Sequence, residues 1–228
     1  MDGLTASEKR QIESAVAYYQ SKHNLFETFA KSVVLAIEQH SELPKYTHFL
    51  KHRTKDPDHL RHKLNRKVLD GKKHGKTLSF DESNLFQKIN DLAGVRLIHL
   101  HTEQMKYIHS HLMEVISELQ YKLMEAPTAN CWDLEYEKLF KDIGIATKSR
   151  ESMYTTVHYV VEANQRTKIT CEIQVRTLMD EVWGEVSHRV NYPDESSSEI
   201  CKDQLKILAR LTTGCTRLVD SIFKSHKV

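Results

Sequence analysis

Two β-rich runs, YTTVHYVVEA (154–163) and TKITCEIQVRT (167–177), stand three residues apart, and they constrain the fold more than any other feature of the chain. Val, Ile, Thr and Tyr fill both, which predicts a hairpin turning at Asn164 to Arg166. Side chains alternate across a pleated strand. Glu172, Gln174 and Arg176 therefore share one face with Thr170, while Cys171, Ile173 and Val175 share the other with Ile169. The first run divides in the same way, Tyr154, Thr156 and His158 on one side and Thr155, Val157, Tyr159 and Val161 on the other. The apolar face needs a core to cover it. The polar face suits either a sheet with one solvated side or a sheet with a polar ligand lying over it.

The rest of the chain supplies helices for that core. Residues 6–41 place Ile12, Val16, Tyr19, Leu25, Phe29, Val33 and Ile37 at helical spacing. A second helix is predicted at 57–70, with Asp56 as cap, Pro57 in the first turn, and Gly71 and Gly75 ending it. FDESNLFQKIND reads as a short helix, AGVRLIHLH as a strand starting near Gly94, and 103–120 as a helix. Residues 121–150 carry the weakest pattern: YKLMEAPTA fits a strand, WDLEYEKLFKDIG a short helix or lid, and TKSRES a polar loop. LMDEVWGEVSHRVNY predicts a helix with Val182, Val186 and Val190 on one stripe. The serines of PDESSSE can cap a last helix at 198–225 carrying Leu205, Leu208, Leu211, Leu218 and Phe223. Helices flanking a small mixed or antiparallel sheet make the expected class α+β.

Charge is distributed unevenly. The formal total is +2, yet Pro44 to Lys76 holds eleven Lys or Arg against three acids, a surplus of eight that leaves the remainder at −6. Such a segment attracts phosphates, or else is a solvated basic helix. Cys131, Cys171, Cys201 and Cys215 are widely spaced with no CxxC, so neither a disulfide framework nor a zinc site is indicated. His52, His59 and His62 lack carboxylate or cysteine partners at ligand spacing. No apolar run approaches the roughly 18 residues of a membrane span, and MDGLTASEKRQ lacks the layout of a signal peptide. A cytoplasmic protein is expected. Asp91 and Arg96 of DLAGVR flank a third strand entry, where Gly94 permits close approach of a ligand or backbone. A carboxylate there, placed near Glu172, would give two oxygen donors suited to Mg²⁺ beside a substrate phosphate, although capping or an ordinary ion pair also explains such a pattern.

Four segments, in order, resemble RelA/SpoT-type alarmone synthetases. HRTKDPDHLRHKL is similar to their s-R-x-K-x-p-x-S-i-x-x-K-l, DLAGVR to D-[IL]-x-G-x-R, MYTTVH to G-Y-[RQ]-S-[IL]-H, and CEIQVRT to E-[IV]-Q-[IV]-R-T, followed by a tryptophan-bearing helix and E-x-x-H-x-x-N-Y. These span residues 52–192. The resemblance implies a nucleotidyltransferase-like synthetase core at 44–195, between a helical region at 1–43 and a C-terminal helix at 196–228. It implies transfer of pyrophosphate from ATP to the ribose 3′-hydroxyl of GDP or GTP, with Mg²⁺ as cofactor. Arg53 and Arg96 would sandwich adenine, Lys55 and Lys63 hold the phosphates, and Asp91 and Glu172 serve the metal and catalysis. Tyr154 would stack on the acceptor guanine, and His158, Gln174 and Arg176 would order the acceptor. Met153, Thr155 and Thr156 depart from the family pattern, and Lys148 or Arg150 could supply the missing cation. Glu181 stands where small synthetases carry Asn, on the acceptor side. Alternative acceptors are an adenosine nucleotide or the 3′ end of tRNA, and a catalytically silent nucleotide-binding module is a further reading. No adjacent His-Asp pair occurs, so alarmone hydrolysis is not expected. The terminal helices could support a homo-oligomer.

Overall fold

The computed structural model describes residues 3–149, 155–191 and 196–226. Eight helices among these are α1 (Ala6–Gln39), α2 (Leu43–Tyr46), α3 (Pro57–Lys73), α4 (Leu85–Lys88), α5 (Gln104–Glu118), α6 (Leu134–Asp142), α7 (Leu178–Asn191) and α8 (Glu199–His226). The strands are β1 (Phe49–Thr54), β2 (Ala93–His99), β3 (Lys122–Leu123), β4 (Thr128–Asn130), β5 (Ala146–Lys148), β6 (Thr156–Glu162) and β7 (Thr170–Thr177). They form one mixed sheet in the order β1-β2-β7-β6-β4-β5, with β3 also pairing β6. The β6–β7 pair is antiparallel as expected, and β2 joins the other edge of β7 in parallel. The class is α+β.

The alternation of the hairpin holds. Cys171, Ile173, Val175, Val157, Tyr159 and Val161 are buried and belong to a core shared with Ile12, Val16, Tyr19 and Phe26 of α1 and Ile108 and Leu112 of α5. Each large apolar side chain so buried contributes roughly 1.5–3 kcal/mol. Because α1 and α5 cover that face, the polar face of β7 is left for the site. Tyr19 also acts on the site directly: its hydroxyl donates to the Lys55 carbonyl at 2.7 Å, fixing the chain as it leaves β1.

Capping explains several boundaries. Asp56 accepts from the backbone N–H groups of Asp58 and His59 at the start of α3, with Pro57 in its first turn. Thr177 accepts from Asp180 N–H and donates to its carboxylate, so β7 passes straight into α7. The two glycines near the end of α3 have different roles from a shared stop signal. Gly71 lies within the helix, where an added Cβ would meet the Lys76 carbonyl at 3.0 Å, and Gly75 alone takes a positive φ, +66°.

Four readings of the sequence are refined. The expected strand over YKLMEAPTA is two short pieces, β3 and β4, and the polar loop TKSRES begins with β5, parallel to β4. In α7, Val182 and Val186 face outward, and the buried positions are Asp180 and Glu181. In α8, Leu211 and Leu218 are each 62% exposed, whereas Leu205, Ala209, Thr212, Thr213 and Thr216 face inward. Polar anchors hold this helix. Asp220 accepts from Thr102 N–H (2.7 Å), the Thr102 hydroxyl (2.6 Å) and the Tyr136 hydroxyl (3.1 Å), and Arg217 pairs with Asp133 and Glu135. No helix among the described residues is long and apolar enough to cross a membrane.

Candidate active site

The polar face of β7, the outer edge formed by β1 and β2, and the second half of α7 line a cleft of about 150 Å³. Lys51, His52 and Arg53 come from β1, Gly94 and Arg96 from β2, Glu172 and Gln174 from β7, and Glu185 and His188 from α7; Asp91 lies at the entry to β2. Strand register makes the convergence inevitable: Arg53 lies opposite Gly94, and Gly94 lies opposite Glu172. A residue without a side chain thus separates an arginine from a carboxylate. Residues distant in sequence, Arg53, Asp91, Arg96, Glu172 and Gln174, from three of the four motifs, meet in one place, and His158 of the remaining motif bonds Glu172 there.

Asp91 anchors one end. Its Oδ2 takes Lys63 Nζ at 2.7 Å and Lys55 Nζ at 3.0 Å, while Oδ1 is buried with no hydrogen-bond partner. Burial pushes its carboxyl upward, but the two ammonium groups outweigh it and hold Asp91 below the usual carboxylate range. Burial lowers the Lys55 ammonium, which Asp91 offsets only in part. An ionised carboxylate with one orphaned oxygen in a polar cleft fits a hard divalent cation, which takes one or two carboxylates together with phosphate oxygens.

Glu172 is the centre of a second cluster. His158 Nδ1–H donates to its Oε1 at 2.8 Å and the Gln174 amide donates to its Oε2 at 2.8 Å. On the far side of the ring, the Asn130 amide faces His158 Nε2 at 3.0 Å. The ring thus bridges the carboxylate of β7 and the amide of β4, which fixes its orientation. Burial raises the Glu172 carboxyl and the nearby Asp91 charge adds to that, yet the bond from His158 leads the opposing effects and leaves it below its ordinary value. Asp91 acts on Glu172 because the two carboxylates share the cleft.

The third cluster crosses from β2 to α7. Arg96 Nη1 donates to Glu181 Oε1 at 2.9 Å and also pairs with Glu185, which Lys51 approaches at 3.6 Å. Arg176 donates to the Gln174 carbonyl at 2.9 Å, and its Nε lies 2.9 Å from Glu181 Oε2, an ion pair whose N–H is not aligned with the oxygen. His188 sits by Arg53, Arg96 and Glu185; burial, followed by the two arginines, lowers its imidazole.

Of the residues expected from sequence, Arg53, Asp91, Arg96, Glu172 and Gln174 line the cleft, and Lys55, Lys63, His158, Arg176 and Glu181 reach it through Asp91, Glu172, Gln174 or Arg96. Lys148 is exposed at the end of β5, beyond β4. Tyr154, Met153 and Arg150 lie outside the described residues. Sequence reasoning missed Asn130, which sits on a three-residue strand without periodic signal. Glu185 and His188 carried a signal, the E-x-x-H block, but no role. Among the described residues, His40, His111 and Glu114 also cluster, but His40 Nδ1 accepts from the backbone N–H groups of Glu42 and Leu43. Those bonds occupy Nδ1 and leave only Nε2 facing Glu114, at 3.6 Å.

Comparisons with known proteins bear on the fold. The structure is similar to the crystal structure of small alarmone synthetase 1 from Bacillus subtilis bound to its product pppGpp, at 15% identity and TM-score 0.65, covering 92% of this chain and 98% of that one. The same synthetase bound to AMPCPP matches at 14% identity and TM-score 0.58, covering 89% and 94%. A GTP pyrophosphokinase family protein from Streptococcus pneumoniae matches at 17% identity and TM-score 0.59, covering 92% of each chain. No curated protein matches in sequence. The family model described as the region found in RelA/SpoT proteins matches residues 52–197, which contain every residue lining the cleft except Lys51. The chain belongs to the RelA/SpoT family.

Proposed function

We propose that this chain transfers pyrophosphate from ATP to the ribose 3′-hydroxyl of GDP or GTP, producing the alarmone (p)ppGpp. The observation that carries the reading is the convergence on one cleft of two carboxylates and two arginines that line it, with two lysines held on Asp91, all drawn from three of the four segments of the resemblance. Structures similar in fold hold pppGpp or AMPCPP, which supports nucleotides as the substrates.

In this reaction the acceptor 3′-oxygen forms a bond to the β-phosphorus of ATP, the bond to the α–β bridging oxygen breaks, and AMP leaves. Arg53 and Arg96 offer flat cationic surfaces to the adenine. Lys55 and Lys63 already stand together around Asp91 and hold the triphosphate. Glu172, ionised and oriented by His158 and Gln174, takes the 3′-hydroxyl proton. His158, Gln174, Arg176 and Lys148 bind the acceptor, and Tyr154 stacks on its base. Asp91, with Glu172, would hold Mg²⁺, whose charge would neutralise phosphate oxygens in the transition state. The exposed apolar side chains of α8, Leu211 and Leu218 among them, offer a surface for self-association.

An acceptor made of tRNA draws less support. Lys45, Lys51, Lys55, Arg61, Lys63, Lys72 and Lys73, seven of the eleven cations between Pro44 and Lys76, are in ion pairs with this chain's own carboxylates. That leaves much less uncompensated charge for an RNA backbone than the surplus of eight suggests. Incubation with γ-labelled ATP, Mg²⁺ and, in turn, GDP, GTP, ATP or tRNA tests the reading. Label is expected in the guanosine nucleotides and is expected to disappear when EDTA removes the metal. Label in tRNA or the adenosine nucleotide alone would reassign the acceptor, and no transfer to any acceptor would reject the reaction.

A further inference from the structure

Glu181 sits in the first turn of α7 and is only 6% exposed. Its two oxygens face guanidinium groups from two neighbouring strands, Arg96 of β2 at 2.9 Å and Arg176 of β7 at 2.9 Å. A residue that reads the edge of a base must turn its lone pairs to the ligand, whereas those of Glu181 point into the protein. From Arg176 the connection continues without a break. Arg176 donates to the Gln174 carbonyl, and the Gln174 amide donates to Glu172. The Gln174 side chain satisfies both neighbours in one orientation only, so the polarity of this chain is fixed. It runs from the arginine at the donor cleft, through the carboxylate of α7, to the carboxylate expected to receive the acceptor's proton.

The charges explain why a carboxylate is needed at this position. The Arg176 side chain is almost fully buried and that of Arg96 largely so, and each guanidinium needs an anion to remain there. A shared anion also fixes the planes of two long side chains in advance. An arginine already immobilised loses little further rotamer freedom when a base or phosphate docks on it.

We propose that Glu181 is a positioning residue: it holds the donor-side Arg96 and the acceptor-side Arg176 together, so that one side chain touching neither nucleotide sets the affinity for both. This rests on the cleft being the pyrophosphotransfer site proposed above.

The test is equilibrium binding of a non-hydrolysable ATP analogue and, separately, of GDP, to the full chain carrying Glu181→Gln, Glu181→Asp, Arg96→Ala or Arg176→Ala, and to the paired double variants. Glu181→Gln is expected to weaken both ligands by about 10-fold, through loss of the anion that Arg96 hydrogen-bonds and Arg176 pairs with. Glu181→Asp, which keeps the charge on a shorter stem, is expected to fall between Gln and the unmodified protein for both. In a background of Arg96→Ala, Glu181→Gln should weaken the ATP analogue no further while still weakening GDP; in Arg176→Ala the pattern should reverse. A general structural role would not produce that exchange. Loss of GDP binding alone, loss of neither, or full additivity with both arginine variants would overturn the proposal. If Glu181→Gln does not fold, Glu181→Asp in the same two backgrounds decides the matter by the same pattern. An unmodified protein that binds neither nucleotide defeats the proposed reaction itself, whereas one that binds both, with Glu181→Gln unaffected, defeats the positioning role alone.

Discussion

Glu172→Gln is expected to lower single-turnover pyrophosphate transfer by about 10²–10⁴-fold, the range that a positioned general base contributes, while binding of an ATP analogue changes little. The substitution keeps size and shape, so the fold should survive. What it removes is the anion that orders its neighbours. The carboxylate receives His158 Nδ1–H on one oxygen and the Gln174 amide on the other. A glutamine amide can accept one of these bonds but meets the other donor with a donor of its own. Proton acceptance from the 3′-hydroxyl and the orientation of both neighbours are lost in one step. The measurement is a rapid-quench assay at saturating nucleotides. Transfer within a few-fold of the unmodified protein would remove Glu172 from the chemistry.

Asp91→Asn should separate phosphate binding from transfer. In the unmodified protein one oxygen of Asp91 holds two ammonium groups and the other is buried without a partner. With a neutral side chain, Lys55 and Lys63 lose their internal anion and become more available to triphosphate, so metal-free ATP is expected to bind as tightly as before or more tightly. Metal-dependent transfer should fall by about 10²–10³-fold, the scale set by removing one preorganised electrostatic group. Folding stability should drop by about 1–3 kcal/mol, below the full penalty for breaking a buried ion pair because the Asp91 side chain is 25% exposed. Thermal unfolding alongside filter binding of labelled ATP reads both effects.

The hairpin was legible because alternation over six residues assigned a face to each side chain, and the structure buries Cys171, Ile173 and Val175 while leaving Glu172 and Gln174 in the cleft. Asp56 and Pro57 were equally legible, since a cap acts on groups only two and three residues away. Periodicity could not decide which stripe of α8 faces the protein. It identified the leucines, but the helix docks through Thr212, Thr213, Thr216 and Asp220, whose partners Thr102 and Tyr136 lie about a hundred residues away. Asn130 was invisible for a similar reason: a strand of three residues has no period, and only the pairing of β4 with β6 carries it to His158. Glu181 was assigned to the acceptor by its place in the motif, whereas its partners are set by the register of β2 and β7, which places Arg96 opposite Gln174 and Ile98 opposite Arg176.

The central claim is that Asp91, with Glu172, offers a divalent cation its site beside bound triphosphate. Electron paramagnetic resonance of Mn²⁺ titrated into the protein, with and without a non-hydrolysable ATP analogue, tests it most directly. One Mn²⁺ per chain should be captured only when the analogue is present, and Asp91→Asn should abolish the capture while the analogue still binds. Capture of Mn²⁺ by Asp91→Asn as strongly as by the unmodified protein would contradict the account.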